Sequence, residues 1–175
     1  MAQFTLNRAQ KRYLAVDLSI GAAVVNFLLN LGLGWLVLHS REGIPLSAEA
    51  GEPSLTGELL GTCLLLPFFT GIIVTPLVKR VVRHGRVPAL DWGRKDHRWL
   101  ARLPNGSFAR SLLVGVVCVV LVALPVGLLL WATGIEWLGF RDYLIAKGVF
   151  SGLLAALVTP LFGLCALADA TPAEV

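Results

Sequence analysis

Charged residues are scarce in this chain, and their scarcity excludes an ordinary water-soluble protein. Asp, Glu, Lys and Arg together make up 15% of the 175 residues, whereas hydrophobic residues make up 56%. A typical globular chain is about 25% charged and about 45–50% apolar. The apolar residues are also clustered, which is typical of membrane-spanning helices, because a bilayer core of about 30 Å requires about 20 apolar residues in helical form.

Recognisable catalytic and cofactor-binding motifs are also absent from the sequence. It contains no Gly-rich phosphate loop, no Gly-x-Ser-x-Gly and no His-Glu-x-x-His. The His and Asp residues that cluster between 84 and 97 match no spacing used by metal ligands. We therefore expect that the protein is not an enzyme and that it binds no metal and no cofactor.

Cysteine is rare, and its placement excludes a disulfide framework. The three residues, Cys63, Cys118 and Cys165, lie in three different apolar runs, and the chain has no Cys-x-x-Cys. Single thiols inside apolar segments behave as small hydrophobic side chains. We expect all three to fill space between helices.

Four apolar runs are long enough to cross a bilayer as helices. The second and third contain no charged residue, and the fourth contains only Lys147, near its start. A soluble protein of this length with four such helices would have almost no polar surface. The sequence therefore predicts an all-α integral membrane protein with one transmembrane domain over residues 1–175. The predicted spans are residues 14–38, 59–78, 111–133 and 144–168.

The basic residues are distributed unevenly along the chain. Nine of the 15 Lys and Arg residues lie between Lys79 and Arg110, and three more precede the first span. Because cytoplasmic loops carry an excess of Lys and Arg, both termini and the 79–110 loop are predicted to be cytoplasmic in a multi-pass protein of the cell (inner) membrane. The positive charge follows this topology pattern, so we expect no nucleic-acid partner.

One tetrapeptide, Val-Thr-Pro-Leu, occurs at residues 74–77 and again at residues 158–161. The two copies fall at the same depth of the second and fourth spans. This match predicts two helix hairpins, residues about 12–80 and about 110–168, that share one orientation in the membrane. Such parallel repeats are related by an axis along the membrane normal.

The first half of the chain resembles small uncharacterised bacterial membrane proteins that are built from paired transmembrane helices. The resemblance is carried by an Asn-bearing first helix and by a second helix that ends in Val-Thr-Pro-Leu-Val before Lys79 and Arg80. The second half lacks the Asn pair and has Gly163 and Leu164 in place of the two basic residues. The resemblance implies a helix-pair architecture and no particular reaction.

Two amides interrupt the first span. Asn26 and Asn30 are four residues apart, so they share one helix face with Ala22 and Gly34. Amides are costly in hydrocarbon, so this stripe should face another helix or a polar cavity. It is either a helix interface, held by interhelical hydrogen bonds, or the lining of a substrate path. Asp17 is either paired with an arginine at headgroup level or has a role in proton or cation coupling.

The repeated tetrapeptides place a Thr-Pro pair in each of two spans: Thr75-Pro76 and Thr159-Pro160. A proline inside a helix removes one hydrogen bond and frees a carbonyl group one turn earlier. The threonine hydroxyls can bond to the loosened backbone. These positions are candidates for helix packing or for a binding site at a kinked helix.

The basic loop contains aromatic residues among its arginines. Arg94, Arg98 and Arg102 recur every four residues, as on one face of a short helix, and Trp92 and Trp99 lie nearby. This composition predicts an amphipathic segment that lies on anionic lipid headgroups. A more specific phosphate-binding or headgroup-binding site is the alternative.

The fourth span begins with a basic residue and a small-residue motif. Lys147 is expected to form a salt bridge with Asp142 or Glu136. Gly148-x-x-x-Gly152 permits close helix approach, either within the chain or between copies. The small-residue faces lead us to expect a homo-oligomer or a membrane-protein partner.

Two classes of function follow from these patterns. The first is a small oligomeric transporter or permease of unknown substrate, whose path is lined by the two Asn residues. The second is a non-catalytic scaffold or accessory subunit of a membrane complex. The acid, the two amides and the glycines in one helix favour transport.

Overall fold

The computed structural model describes residues 5–48, 52–90, 92–93 and 97–170, which are mostly helical. Four helices are long and apolar enough to cross a membrane, which confirms the prediction of an all-α multi-pass membrane protein at this level. The helices are α1 (Arg8–Leu38), α2 (Leu55–Arg83), α3 (Ser107–Ala132) and α4 (Phe140–Asp169).

All four described helices begin before their predicted spans, and at the first two a polar side chain caps the start. At α1, Asn7 accepts a hydrogen bond from the backbone N–H of Gln10, whose side chain accepts from the backbone of Asn7 in return, both at 2.8 Å. This is a capping box. At α2, the Ser54 hydroxyl accepts from the N–H of Gly57 at 3.2 Å. Hydropathy does not detect such caps, so the predicted spans were shorter.

The most buried of the four helices is the last. Helix α1 packs along α4, α4 packs against α2, and α2 packs against α3, so the order across the bundle is α1–α4–α2–α3. In the apolar 18-residue stretch that marks α4 as a membrane span, 56% of the residues are buried, compared with 6% in the corresponding stretch of α1. The predicted hairpin partners α1 and α2 have few close contacts along their described lengths, although both contribute side chains to the core at one end of the bundle.

Two short strands join the loops at one end of the bundle, here called the strand end. Strand β1 (Gly43–Pro45) follows α1, and β2 (Trp137–Gly139) follows α3. They pair in antiparallel register, with Ile44 opposite Leu138. The side chain of Ile44, in the middle of β1, is fully buried. The pairing therefore ties the loop that leads to α2 to the loop that leads to α4.

The opposite end, here called the basic end, is closed by the segment that follows α2. Gln10 is buried, and its Nε2 donates to the backbone carbonyls of Pro88 and Ala89 at 3.1 and 3.0 Å. The indole N–H of Trp92 donates to the carbonyl of Thr5 at 3.1 Å. A single helical turn, Arg98–Ala101, follows. The core beneath this cap includes Leu14, Val78, Val87, Leu90, Leu100, Cys165, Ala166 and Leu167.

Replacing Trp92 should destabilise this cap. Trp92→Phe removes the indole hydrogen bond and part of the buried ring, for an expected loss of about 1–3 kcal/mol in the free energy of unfolding. Thermal unfolding in detergent micelles, followed by circular dichroism, measures the loss. Trp99 is 45% exposed, so Trp99→Phe is the control and should cost less than about 0.5 kcal/mol. Equal losses in the two variants would contradict the cap.

Candidate functional site

A groove of about 1030 Å³ lies between α1 and α2, with α4 as its floor. The groove exists because α1 packs on α4 and has few close contacts with α2. Many of the apolar side chains that line its two walls are exposed, so the groove is open on the side that faces lipid. The exposed apolar lining residues are Val25, Leu29, Leu33, Leu65, Phe69, Ile73 and Leu77.

The groove extends through most of the thickness of a bilayer. On α2 its lining runs from Gly57, near the strand end, to Leu77, near the basic end. At a helical rise of 1.5 Å per residue this distance is about 30 Å, which equals the hydrocarbon thickness of about 30 Å. On α1 the lining runs from Asp17 to Leu33.

Both intramembrane amides line the groove, but they do not bond to a second helix. The Nδ2 of Asn26 donates to the carbonyl of Ala22, and the Nδ2 of Asn30 donates to the carbonyl of Asn26, both at 3.0 Å. Of the two alternatives for the stripe, interhelical hydrogen bonds from these amides are not found among the described residues. Each side chain satisfies part of its hydrogen-bonding capacity on its own helix and is half-buried at the groove.

The four residues of the predicted stripe on α1 lie in two different environments. Ala22, Asn26 and Asn30 line the groove. Gly34 is instead buried against α4: a Cβ atom at this position would lie 2.8 Å from Cδ2 of Leu144. Gly34 therefore belongs to the α1–α4 interface, where a Cβ atom would require the Leu144 side chain to shift.

Asp17 lies on the groove near the basic end. It is exposed and belongs to a π-helical stretch of α1, Tyr13–Ile20. Stretches of this kind are frequent at functional sites. The expected arginine partner is absent among the described residues, where Asp17 makes no ion pair. Its carboxylate is therefore available at this end of the groove.

An ion pair lies on the groove near the strand end. Nζ of Lys147 on α4 lies 2.5 Å from Oε2 of Glu58 on α2, and it also lies 5.6 Å from the centre of the Tyr143 ring. The side chain of Lys147 is 14% exposed and that of Glu58 is 33% exposed. The expectation that Lys147 pairs with Asp142 or Glu136 was wrong, because its side chain points toward α2.

The two threonines of the repeated tetrapeptide differ in their hydrogen bonding. The hydroxyl of Thr75 is buried and donates to the carbonyl of Gly71 at 2.6 Å. The hydroxyl of Thr159 is buried on the groove floor and has no hydrogen-bond partner among the described residues. Pro76 is exposed, whereas Pro160 is half-buried.

The glycine motif of α4 is used within the chain. A Cβ at Gly148 would lie 3.0 Å from the ring of Phe27, and a Cβ at Gly152 would lie 3.1 Å from the carbonyl oxygen of Ala23. Between them, the Ser151 hydroxyl lies 3.3 Å from the carbonyl of Asn26. The motif therefore positions α1 against α4, and so it does not support assembly between copies.

Comparisons with known proteins found nothing similar. No family model, curated protein or solved structure matches the chain. The likeness to bacterial proteins built from paired helices, which the Asn-bearing first helix suggested, therefore stays a prediction. Function is inferred from the groove and its lining residues alone.

The predicted headgroup-binding residues are not all at the surface. Arg98, Arg102 and Trp99 are exposed near the basic end, whereas Trp92 is buried at 4% exposure. Arg94 lies outside the described residues. The expectation of a surface anchor at Trp92 was therefore wrong, because the indole packs beneath the bundle and bonds to Thr5.

A second ion pair lies inside the basic end. Nη1 of Arg110, at the start of α3, donates to Oδ2 of Asp169, at the end of α4, at 2.9 Å. The Arg110 side chain is 1% exposed. Sequence reasoning missed this pair and the Glu58–Lys147 pair, because their partners are 59 and 89 residues apart. For both pairs, the sequence showed only charged residues near the ends of apolar runs and did not indicate their partners.

Proposed function

We propose that this protein is a small membrane transporter or permease whose solute moves along the groove between α1 and α2. One observation carries the proposal: the groove is about as long as the membrane is thick and has polar groups at both ends and in its middle. Polar and ionisable groups at membrane depth are costly and mark substrate pathways. Here they are Asp17, Asn26, Asn30, Thr159 and the Glu58–Lys147 pair.

The bonding of the two amides favours a path over a helix interface. An amide that fastens two helices donates across the interface. Asn26 and Asn30 donate instead along α1 and line an open groove. Their placement is better explained by contact with a passing solute or with water.

The second candidate is a scaffold or accessory subunit of a membrane complex. Helix α1 packs on α4 and leaves its groove wall exposed. A transmembrane helix of a partner protein could lie in the same groove and cover that wall. Such a helix would block transport, so the two functions predict opposite results for the purified protein.

The orientation in the membrane is proposed from charge and aromatic residues. The basic end carries Lys79, Arg80 and Arg83 around a pocket of about 530 Å³ at the end of α2. The positive-inside rule assigns that end to the cytoplasm of the cell (inner) membrane. Exposed Trp35 and Trp131 near the strand end suit the opposite interface.

The parallel repeat is proposed on the order of helix packing. Exchanging α1 with α3 and α2 with α4 turns the order α1–α4–α2–α3 into its own reverse. A two-fold axis between α2 and α4, along the membrane normal, has this property. The strands also occupy matching places, because each precedes the second helix of its half. Oligomerisation stays a prediction from the sequence, because the glycines that suggested it, Gly148 and Gly152, pack within the chain.

The transport proposal predicts that the two amides are needed for flux. The double substitution Asn26→Leu with Asn30→Leu should lower flux at least tenfold, because leucines replace the polar middle of the groove. Flux is measured in proteoliposomes loaded with amino acids, polyamines, nucleosides and short-chain carboxylates, by mass spectrometry of the external solution. The control is Gly32→Leu, since Gly32 is exposed on the same helix, outside the groove, and a Cβ atom there would have no neighbouring atom within 4 Å.

Two results would contradict transport. One is unchanged flux in the double variant. The other is wild-type protein that moves none of these solutes, while the double variant releases a partner protein from native membranes. The second result is the one that an accessory subunit predicts.

A further inference from the structure

The groove differs in charge from the rest of the protein. Its lining contains three acids, Asp17, Glu52 and Glu58, and a single base, Lys147, whereas the whole chain has a formal net charge of +4. Because Lys147 is paired with Glu58, two carboxylates in the lining remain uncompensated, and neither makes an ion pair among the described residues. Uncompensated carboxylates between low-dielectric walls attract cations and repel anions.

The uncharged polar groups of the groove add hydrogen-bond acceptors. Asn26 and Asn30 each donate to their own helix backbone, and their Oδ1 atoms accept no hydrogen bond from the described residues. On the floor, Thr159 is 2% exposed and its hydroxyl is unpartnered among the residues that the structure describes. Leaving a buried hydroxyl without a partner is unfavourable, so this atom independently points to a polar ligand in the groove.

The rest of the lining is apolar, so a ligand that fills the groove must also have an apolar part. The exposed walls are formed by leucines, by Ile73 and by Phe69, whose ring is 55% exposed. An alkyl chain can lie along these walls and reach them from the bilayer, because the groove is open toward lipid. The face of an aromatic ring also attracts a cation. The chemistry of the lining therefore combines an apolar path with negative charge and acceptors.

We propose that the groove binds an amphipathic amine, with its alkyl chain along the walls and its protonated amine at the carboxylate of Asp17. This inference rests on the proposed function, because it names the substrate class of the same groove. A carboxylate or sulfate on the same chain would meet uncompensated acids. An uncharged amphiphile would leave those acids without a counterion.

Binding of three ligands with the same chain length tests the inference. The purified protein in maltoside micelles is titrated with decylammonium, decanoate and decanol, and the heat of binding is measured. Decylammonium should bind at least tenfold more tightly than either of the others, and Asp17→Asn should weaken it at least fivefold. Asp142 is exposed on α4 and does not line the groove, so Asp142→Asn is the control and should bind as the wild type does.

A second variant separates ligand binding from folding. Thr159→Val keeps the shape of the side chain and removes the unpartnered hydroxyl, so the unfolding temperature should be unchanged or higher. Decylammonium binding should nevertheless weaken at least twofold. Equal binding of decanoate and decylammonium would overturn the inference. Amine binding that is unchanged in both Asp17→Asn and Thr159→Val would also overturn it.

Failure of the amine inference and failure of transport give different results. Flux of other solutes in proteoliposomes, without preferential amine binding, would overturn the amine inference and leave transport standing. Preferential amine binding without flux of decylammonium or any other solute would overturn transport and leave the binding site. If a partner helix fills the groove, protein that is purified together with that partner should bind decylammonium only after the partner is removed. That result would overturn the inference for the assembled protein.

Discussion

Asp169→Asn is expected to destabilise the fold by about 3–5 kcal/mol, because it leaves the guanidinium of Arg110 buried without its counterion. The Arg110 side chain is 1% exposed and its Nε already lacks a hydrogen-bond partner among the described residues. The substituted asparagine keeps the size of the side chain, so the loss reports on charge and not on packing. The free energy of unfolding in mixed micelles, measured by titration with a denaturing detergent, provides the value.

Removing the arginine instead of the aspartate should cost less free energy of unfolding. Arg110→Met leaves the carboxylate of Asp169, which is 15% exposed and can therefore be solvated in part. The double substitution Arg110→Met with Asp169→Leu should recover stability relative to Asp169→Asn alone. The control Asp142→Asn removes an exposed acid from the first turn of the same helix and should cost less than about 1 kcal/mol. A loss that small for Asp169→Asn would contradict a structural role for the pair.

Gly115→Val should separate α3 from α2 where the two backbones approach closely. A Cβ at Gly115 would lie 2.7 Å from the backbone carbonyl oxygen of Leu64. Because that neighbour is backbone, it cannot turn away as a side chain can, and the helices must move apart. The expected loss is about 1–3 kcal/mol in the free energy of unfolding. Thermal unfolding in detergent measures it, and the yield of monodisperse protein should fall in parallel.

The same helix supplies a matched control for this substitution. A Cβ at Gly127 would meet only Cδ2 of Leu59, at 3.9 Å, which is ordinary contact distance. Gly127→Val should therefore change stability by less than about 0.5 kcal/mol. If the two valine variants unfold at the same temperature, the close approach of α2 and α3 is not a determinant of stability.

The four spans could be predicted from the sequence because hydrocarbon selects for long apolar runs, and that signal is local. The helices extend beyond these spans, and the caps at Asn7 and Ser54 lie outside the apolar runs, where hydropathy gives no signal. The two amides were identified as the polar interruption of α1, but their bonding was not. An amide four residues from a carbonyl on its own helix has a partner within reach, and no local pattern tells whether it uses that partner.

The residues near the basic end illustrate a second limit of sequence reasoning. Trp92 has arginines nearby in the sequence, as an interfacial tryptophan does, yet it is buried against the start of the chain. Composition describes a residue's neighbours along the chain. It does not reveal whether Thr5 and Leu14, more than 70 residues earlier, cover the same side chain.

The sequence by itself determined that this protein lies in a membrane, because four long apolar segments require hydrocarbon around them, whatever their arrangement. Only the tertiary structure decided that α1 and α2 both pack on α4 and have few contacts with each other, which leaves the groove between them and brings Glu58 to Lys147. The reason is physical. Lipid is as apolar as the helices, so burial does not select partners among them. That choice depends on close contacts at Gly34, Gly148 and Gly152, which exist only once the helices meet.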